Sequence, residues 1–390
     1  MRAAIVGGSL GGLTAAALLR DLGVEVDVYE RSPSELVQRG AGIGFLPSAA
    51  RYLVERAGVG LDRLSVATSH IRYFNRRSDV IYDGIHHYRF SSWYTVYRHM
   101  LARIDPARYH LGYEMTGWVD SDDGVEVRFA NQASRRVDLL VCADGVASTA
   151  RARLLPEVQP VYAGYVGWRG MVPEASLDQS TRAVIGDAIT YYVYANSHIL
   201  VYPIPGPNDS VAPGERLINF VWYRNYLAGG DLDDLLIDQS GQRRDTSLPP
   251  GAVSAHHLAE LRAVASSRLP EPIARVVLST AQPFLQVIYD IDVPRMAFGR
   301  VCLIGDAAFL ARPHAAAGTA KAAADAWALA EAVARHDNVV AALADWEPGQ
   351  LALGRQLLER TRRIGRRSQF DGTWVPGDPE FIFGLRAPGA

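Results

Sequence analysis

The hydrophobic and polar positions of this chain follow two different rhythms. In the first, the apolar run AAIV meets a glycine turn, then an Ala/Leu-rich stretch that ends before Gly23, then a second apolar run that closes on Glu30. A short apolar run bounded by turn residues predicts a buried strand and a longer apolar-rich stretch a helix, so the opening reads as a β-α-β unit. Residues 37–65 read as a glycine-rich loop followed by a helix, 69–86 as two strands around the turn Asn75–Ser78, and 94–104 as a helix. Short alternating segments fill 108–141, with Ser121–Gly124 as a tight turn; they predict a β-meander feeding the strand VDLLVCADG.

From about residue 160 to 228 the period becomes two and the side chains become aromatic and β-branched, in YAGYVGWRGMV, ITYYVYANSHILVYPIP and RLINFVWYRNY. This predicts a second, largely antiparallel sheet. Helices are expected at 231–238 and 255–279, strands near 284–290 and 300–304, an alanine-rich helix at 318–335, and further helix at 340–368. The strand GRVCLIGDA returns to the style of the opening unit. The predicted fold is α/β: a Rossmann-type dinucleotide domain assembled from residues 1–70, 93–160 and 281–335. A substrate domain on a mixed or antiparallel β-sheet takes 71–92 and 161–280, and 336–390 form C-terminal helices and a tail.

Composition narrows the function. Of 390 residues, 48% are hydrophobic and 21% charged, which excludes global disorder. Forty basic against 42 acidic residues leave a net charge of -2, so no bulk field attracts nucleic acid or an anionic membrane. Lys321 is the only lysine, and the arginine excess reads as codon bias. Cys142 and Cys302 sit in apolar strand-like runs and make no disulfide framework. Glycines interrupt the apolar N-terminal stretch that might otherwise pass for a signal peptide, and no run reaches the roughly 18 residues that span a bilayer, so a cytoplasmic protein is expected. The basic string RRIGRR reads as a solvated helix face. The adjacent pairs His86/His87 and His256/His257 point apart on a strand or helix, so no metal site is expected.

The chemistry lies in three separated segments. In the first, Gly7, Gly8, Ser9, Leu10, Gly11 and Gly12 form G-x-G-x-x-G with Ser9 replacing the middle glycine. Such a turn lets pyrophosphate oxygens reach backbone N–H groups at a helix N-terminus, and Glu30, followed by Arg31, stands where an acidic residue accepts from ribose hydroxyls. The second is Ala143, Asp144 and Gly145 with Ser148 and Arg151; the third is Gly305, Asp306, Ala307 and Ala308 with Pro313, His314, Gly318 and Asp325.

With these three segments, in this order and at these separations, the chain resembles the class A flavin aromatic hydroxylases, the p-hydroxybenzoate hydroxylase family, over nearly its whole length. The resemblance implies FAD as cofactor, NADH or NADPH as a transient co-substrate without a second Rossmann domain, and O2 as oxidant. The implied activity is hydroxylation, through a flavin hydroperoxide, of a small electron-rich aromatic or N-heteroaromatic ring of the hydroxypyridine, pyridone or phenol type. It further implies that Asp306 holds the sugar-alcohol chain of FAD, and that Thr319 and Ala320, in the helix opening at Gly318 after Pro313, direct N–H groups at the flavin pyrimidine edge. Arg98 would approach the pyrophosphate, and Asp144 and Arg151 would serve the pyrophosphate or nicotinamide use. Three departures from the family pattern are Ser9, Phe309 after GDAA, and Ala315–Ala317.

A ring hydroxyl must lose its proton to become nucleophilic, so a base is needed within about 3 Å. His314 is the candidate, with Tyr223 and Arg169 as further catalytic candidates; Asn219, Tyr223, Pro313 and His314 are the expected substrate contacts. Alternation places Asn219 and Tyr223 on one strand face, and His198 is expected in an exposed hairpin turn. The expected partner is a small aromatic molecule and the expected assembly a monomer or homodimer. Rival readings are an oxidase, epoxidase or halogenase on the same scaffold, or a non-catalytic carrier that keeps the FAD fold.

Overall fold

The computed structural model describes residues 1–36, 41–121 and 123–390; the start of the loop expected from residue 37, and one position of the turn expected at 121–124, lie outside the described residues. The opening unit forms as its pattern predicts: strand Arg2–Val6, helix Leu10–Asp21 and strand Glu25–Glu30, the two strands parallel. The helix sits close because its inner face is small. A Cβ on Gly11 would meet the Ala322 methyl of a second helix, Gly318–Arg335, at 3.2 Å.

The first sheet has six strands, in the order Ala297–Phe298, Val301–Leu303, Leu139–Cys142, Arg2–Val6, Glu25–Glu30 and Tyr109–Leu111. Its central strands are parallel, and Val301–Leu303, Leu139–Cys142 and, after the exposed Arg2, Ala3–Val6 are apolar, as expected for strands covered on both faces. Leu139–Cys142 and Val301–Leu303, distant in sequence, flank one another beside the first strand, so the opening unit is completed by chain that arrives more than a hundred residues later. The meander Met115–Ser121, Gly124–Phe129 and Arg135–Val137 forms a small separate sheet.

The second, ten-stranded sheet includes the run Phe284–Asp292, Val161–Pro173, Leu217–Asn225, Ser197–Ile204, Ala188–Tyr194, Val66–Phe74, Val80–Ser92 and Gly42–Gly44 in spatial order. It is mixed: Ala188–Tyr194 pairs parallel with Val66–Phe74, whereas the other pairings are antiparallel. One face packs on helices and contains Trp168, Phe220 and Trp222; the other carries Tyr165, Tyr202, Tyr223 and Phe90. Period-two alternation separates these two sets along each strand.

Two helical expectations change in detail. The stretch 255–279 is two helices, Ala255–Arg268 and Glu271–Ser279, because Pro270 has no N–H to donate and disfavours helical geometry at Leu269. The helix expected within 37–65 is short, Pro47–Arg51, continued by a wider turn to Arg56. The last helix runs unbroken from Val339 to Gln369 in spite of Pro348. It is followed by a tail that crosses back over the aromatic face of the second sheet, through contacts of Trp374 with Tyr191 and of Phe383 with Phe90. None of the helices among the described residues is long and apolar enough to cross a membrane.

Candidate active site

Val6, Cys142 and Leu303 are register partners on adjacent parallel strands, so the three motif segments leave the first sheet side by side. Gly7 has φ +107°, and a Cβ there would lie 2.2 Å from the Ala143 carbonyl oxygen; a Cβ on Gly12 would lie 1.9 Å from the Gly7 oxygen. Neither position admits a larger residue. Ser9 stands at the N-cap of helix Leu10–Asp21 without a side-chain cap bond, which leaves its hydroxyl and the first-turn N–H groups available. The Glu30 carboxylate accepts from Gly8 N–H at 2.9 Å and from Ser32 N–H at 2.9 Å, tying the glycine turn to the end of the second strand. Arg31 beside it is exposed.

Three expected cofactor contacts are engaged elsewhere. Arg98, on helix Trp93–Leu101, pairs with Asp209, whose carboxylate also accepts from the Thr95 hydroxyl at 2.9 Å. Asp144 accepts from the Ser148 hydroxyl at 2.6 Å and Ala150 N–H at 3.1 Å, at the start of helix Thr149–Leu154. Arg151 donates to the carbonyls of Val146 and, at 3.1 Å, Ala307, fastening the second motif segment to the third. Burial pushes the Asp144 carboxyl up and the Arg151 guanidinium down.

Asp306 is different. Its carboxylate accepts no hydrogen bond among the described residues, while burial pushes its pKa up against the opposing pull of Lys321 and Arg151. Lys321, fully buried, pairs with Asp325 at 2.7 Å, and Asp325 accepts from Gly305 N–H at 2.8 Å, so the lone lysine helps lock the strand end that carries Asp306. The segment then turns through Pro313–Ala315 and a left-handed Ala316 (φ 53°) into helix Gly318–Arg335, which has no side-chain N-cap. Its first-turn N–H groups, Gly318, Thr319 and Ala320, are left open.

Opposite stands the aromatic face. Tyr223 lies between Gly167 on one neighbouring strand and His198 on the other; Asn219 lies between Met171 and Tyr202, and Arg169 is level with Val221 between them. Asn219 is fully buried, its Oδ1 accepting from Gly42 N–H at 2.9 Å and its Nδ2 without a partner among the described residues. Tyr202 donates to the Gly42 carbonyl at 2.9 Å, so strand Gly42–Gly44 is clamped from both sides. Arg169 is half-buried and forms no ion pair among the described residues, but its charge acts on the Tyr202 and Tyr223 phenols.

His314 closes the gap between the two halves. Its Nε2 lies 2.7 Å from the Tyr165 hydroxyl, and its buried Nδ1 has no partner among the described residues. The imidazole is 4.8 Å from the Tyr223 ring and 5.4 Å from that of His198. Burial, aided by the His198 and Arg312 charges, holds the His314 pKa well below the usual histidine value, so it is neutral at pH 7; burial likewise pushes the Tyr165 and Tyr223 phenols up. One proton on the Tyr165–His314 bond decides what Nδ1 offers. If Tyr165 donates, Nδ1 carries a hydrogen; if Nε2–H donates to the phenol oxygen, Nδ1 presents a lone pair.

His198 corrects the exposed-turn expectation. The turn is at Asn196, with φ 58°, whereas His198 is 1% exposed inside the strand, with Nδ1 2.9 Å from the Gln369 amide nitrogen. Burial lowers its pKa to about 3. The polar neighbours Asn196 and Ser197 concealed the register, since Ser197 points to the opposite face and donates to the Tyr223 carbonyl at 2.6 Å. Tyr165, Tyr202 and Gln369 also escaped the sequence reading. The first two share the period-two face with Arg169 and Asn219; Gln369 carried no signal.

Known proteins resemble this arrangement. The family described as NAD(P)-binding Rossmann-like domain matches residues 5–34, and that described as FAD binding domain-like matches 162–290. The chain is 39% identical to 2,6-dihydroxypyridine 3-monooxygenase of Paenarthrobacter nicotinovorans over 98% of this chain and 96% of that one. It is 30% identical to 3-amino-4-hydroxybenzoate 2-monooxygenase of Streptomyces cremeus, covering 97% and 89%. Its structure superimposes on 2,6-dihydroxypyridine-3-hydroxylase from Arthrobacter nicotinovorans with a TM-score of 0.93 at 38% identity, covering 99% and 97%. The fold is shared with HpxO of Klebsiella pneumoniae complexed with FAD and uric acid, at a TM-score of 0.76 and 23% identity, covering 98% and 90%.

FAD fits the residues present. The Gly7–Gly12 cradle admits a pyrophosphate, the uncommitted Asp306 carboxylate can accept from ribityl hydroxyls, and the uncapped helix at Gly318 suits the electron-rich edge of the flavin ring. The orphaned Asn219 Nδ2 adds a donor beside Gly42.

Proposed function

This chain belongs to the class A flavin aromatic hydroxylases, the p-hydroxybenzoate hydroxylase family, and from that premise we propose that it hydroxylates a hydroxypyridine-type ring held between Gly42, Asn219, Tyr223 and His314. It is an FAD-dependent monooxygenase that draws electrons from NADH or NADPH and places one oxygen atom of O2 on a small aromatic substrate. Bound FAD supplies the electron transfer and the activation of oxygen. The chain's own residues bind and orient the ring, exclude water and manage one proton.

The observation that carries the reading is the convergence of three distant strand ends opposite a buried Tyr165–His314 pair. In this reading His314 takes the proton of a ring hydroxyl at Nδ1 while its Nε2–H is directed at the Tyr165 oxygen. A base kept weak by burial returns that proton easily once the oxygen has been transferred. Asn219 Nδ2 and the Arg169 guanidinium hold the oxygens of the deprotonated ring, which favours a substrate with two oxygen functions, as the dihydroxypyridine of the 39%-identical relative has. The ring of Tyr223 forms the apolar floor. Asp306, Ser9, Gly7, Gly12, Glu30 and the Gly318–Ala320 turn hold the cofactor, and Pro313 keeps His314 against it. The same reading places Arg98 at the pyrophosphate once Asp209 lets go, and sets the enzyme in the cytoplasm, where the nicotinamides are.

The test is a screen of mono- and dihydroxypyridines and phenols against the FAD-loaded protein, reading both substrate-stimulated NAD(P)H oxidation and a product heavier by one oxygen. A dihydroxypyridine should give tight coupling of the two. NAD(P)H oxidation that yields only hydrogen peroxide with every compound would reject the hydroxypyridine assignment.

A further inference from the structure

The tail that follows the last helix is held down by the basic string that sequence patterning assigned to solvent. Arg367 pairs with Asp378 at 2.8 Å and with Glu380 at 2.7 Å, Arg363 pairs with Glu380, and Arg366 with Asp371 at 3.1 Å. One turn earlier, the buried Arg360 donates to the carbonyls of Gly384, at 2.8 Å, and Ile382. These contacts fold the tail back along the helix that carries them, and its far end reaches the His314 turn, where Gly384 N–H donates to the Ala315 carbonyl at 3.2 Å.

What the clasp holds in place is a pair of aromatic groups. The Trp374 ring lies 4.8 Å from the His198 ring and 5.9 Å from that of Tyr191, donates from Nε1 to the Tyr73 hydroxyl at 3.2 Å, and is backed by Phe381 in a parallel stack at 3.8 Å. His198 in turn faces Tyr223 at 4.6 Å. Phe383, packed at 4.8 Å against Tyr88, also lines a 290 Å³ apolar hollow bounded by Gly44, Leu46, Pro47 and Val54. The tail thus lays rings against the same face of the second sheet that carries Tyr223. They are fastened by partly exposed ion pairs of Arg363 and Arg367 together with the buried Arg360.

We propose that Trp374 is a specificity-determining residue: carried on the arginine-clasped tail, it is the outer wall of the substrate pocket and limits the site to single six-membered rings. This inference rests on the placement of the substrate beside Tyr223 and His314. A bicyclic ring laid on Tyr223 would run into the space that Trp374 fills next to His198; a monocyclic ring stops short of it and gains an apolar boundary that keeps water away. A wall set by a stack of two aromatic groups resists displacement, whereas an alanine there opens room for a second fused ring.

The experiment compares hydroxypyridines with hydroxyquinolines as substrates of the FAD-loaded enzyme and its variants. For Trp374→Ala, the ratio of kcat/KM for hydroxyquinoline to that for hydroxypyridine should rise about tenfold or more, with KM for hydroxypyridine raised and more peroxide released per turnover. Trp374→Phe should keep the wild-type ratio. The double change Arg363→Gln and Arg367→Gln should move the ratio in the same direction by loosening the clasp. A general loss of stability lowers both substrates together and leaves the ratio alone, so an unchanged ratio in Trp374→Ala overturns the proposal. If that variant does not retain flavin, the same ratio read in Trp374→Leu decides. Failure of the wild-type enzyme to hydroxylate any monocyclic ring would instead reject the substrate placement itself.

Discussion

A buried imidazole with one nitrogen bonded and the other unpartnered has two ways to be useful and one way to be costly. His314 is neutral in the fold because charging it beside Arg312, away from water, is unfavourable. In the proposed role of base, its removal in His314→Ala should leave FAD bound and nicotinamide-driven flavin reduction nearly intact, but depress coupled hydroxylation by about 10²- to 10⁴-fold, as product analysis would show. His198 and His314 together also make stability depend on pH. Both folded-state pKa values lie below the roughly 6.5 of an unfolded histidine, so the unfolded chain binds more protons and stability, complete above about pH 6.5, falls as the solution is acidified toward the folded values. Each histidine contributes a slope of about 1.4 kcal/mol per pH unit in that window. Urea midpoints between pH 6.5 and 4.5 should therefore fall less steeply in His198→Gln than in the wild type; equal slopes would show that His198 is not buried neutral. At this scale the sequence singled out His314, Asn219 and Tyr223 by motif and alternation. It misread His198, because two polar neighbours looked like a turn that lies two residues earlier.

Among the elements, the helix Val339–Gln369 is the one whose role its pattern concealed. Gly365, in the middle of RRIGRR, lets this helix pass over the Tyr165–His314 pair: a Cβ there would stand 2.5 Å from the Tyr165 hydroxyl oxygen and 2.9 Å from His314 Nε2. Gly365→Ala should force the Tyr165–His314 bond apart and cost roughly 1–3 kcal/mol by overpacking. Thermal unfolding would show the destabilisation, and coupled hydroxylation should fall by more than FAD binding does. The strands of the second sheet were legible because their period of two is dense in β-branched and aromatic residues; the break at Pro270 was written in the sequence but overridden by the apolar periodicity on either side.

For the molecule as a whole, the cofactor is held by chain segments that have no local reason to meet. Asp306→Asn keeps the shape but removes the charge of a strand-end carboxylate that no described residue hydrogen-bonds, and hydrogen bonds to charged groups are worth about 1.5–3 kcal/mol. The variant should bind FAD about ten- to a hundredfold more weakly, measured by flavin fluorescence on titration, while Asp144→Asn should first lower thermal stability, since Asp144 is bonded to Ser148 and Ala150. The three fingerprint segments and their strands were readable in one dimension because a glycine-walled turn and a strand-end acid are local necessities of holding a dinucleotide.

By itself, then, the sequence determined which stretches are strands, which turns must be glycine, and that the segments carrying Gly7, Asp144 and Asp306 end neighbouring strands. Only the tertiary structure decided that Arg98 and Asp144 are engaged by Asp209 and Ser148, that His198 is inside, and that the tail lays Trp374 against His198. Local periodicity reports which face of an element is buried; it carries no information about which distant side chain will be found there. That partner is set by sheet order and by where a helix ends, and these are fixed only when the whole chain packs.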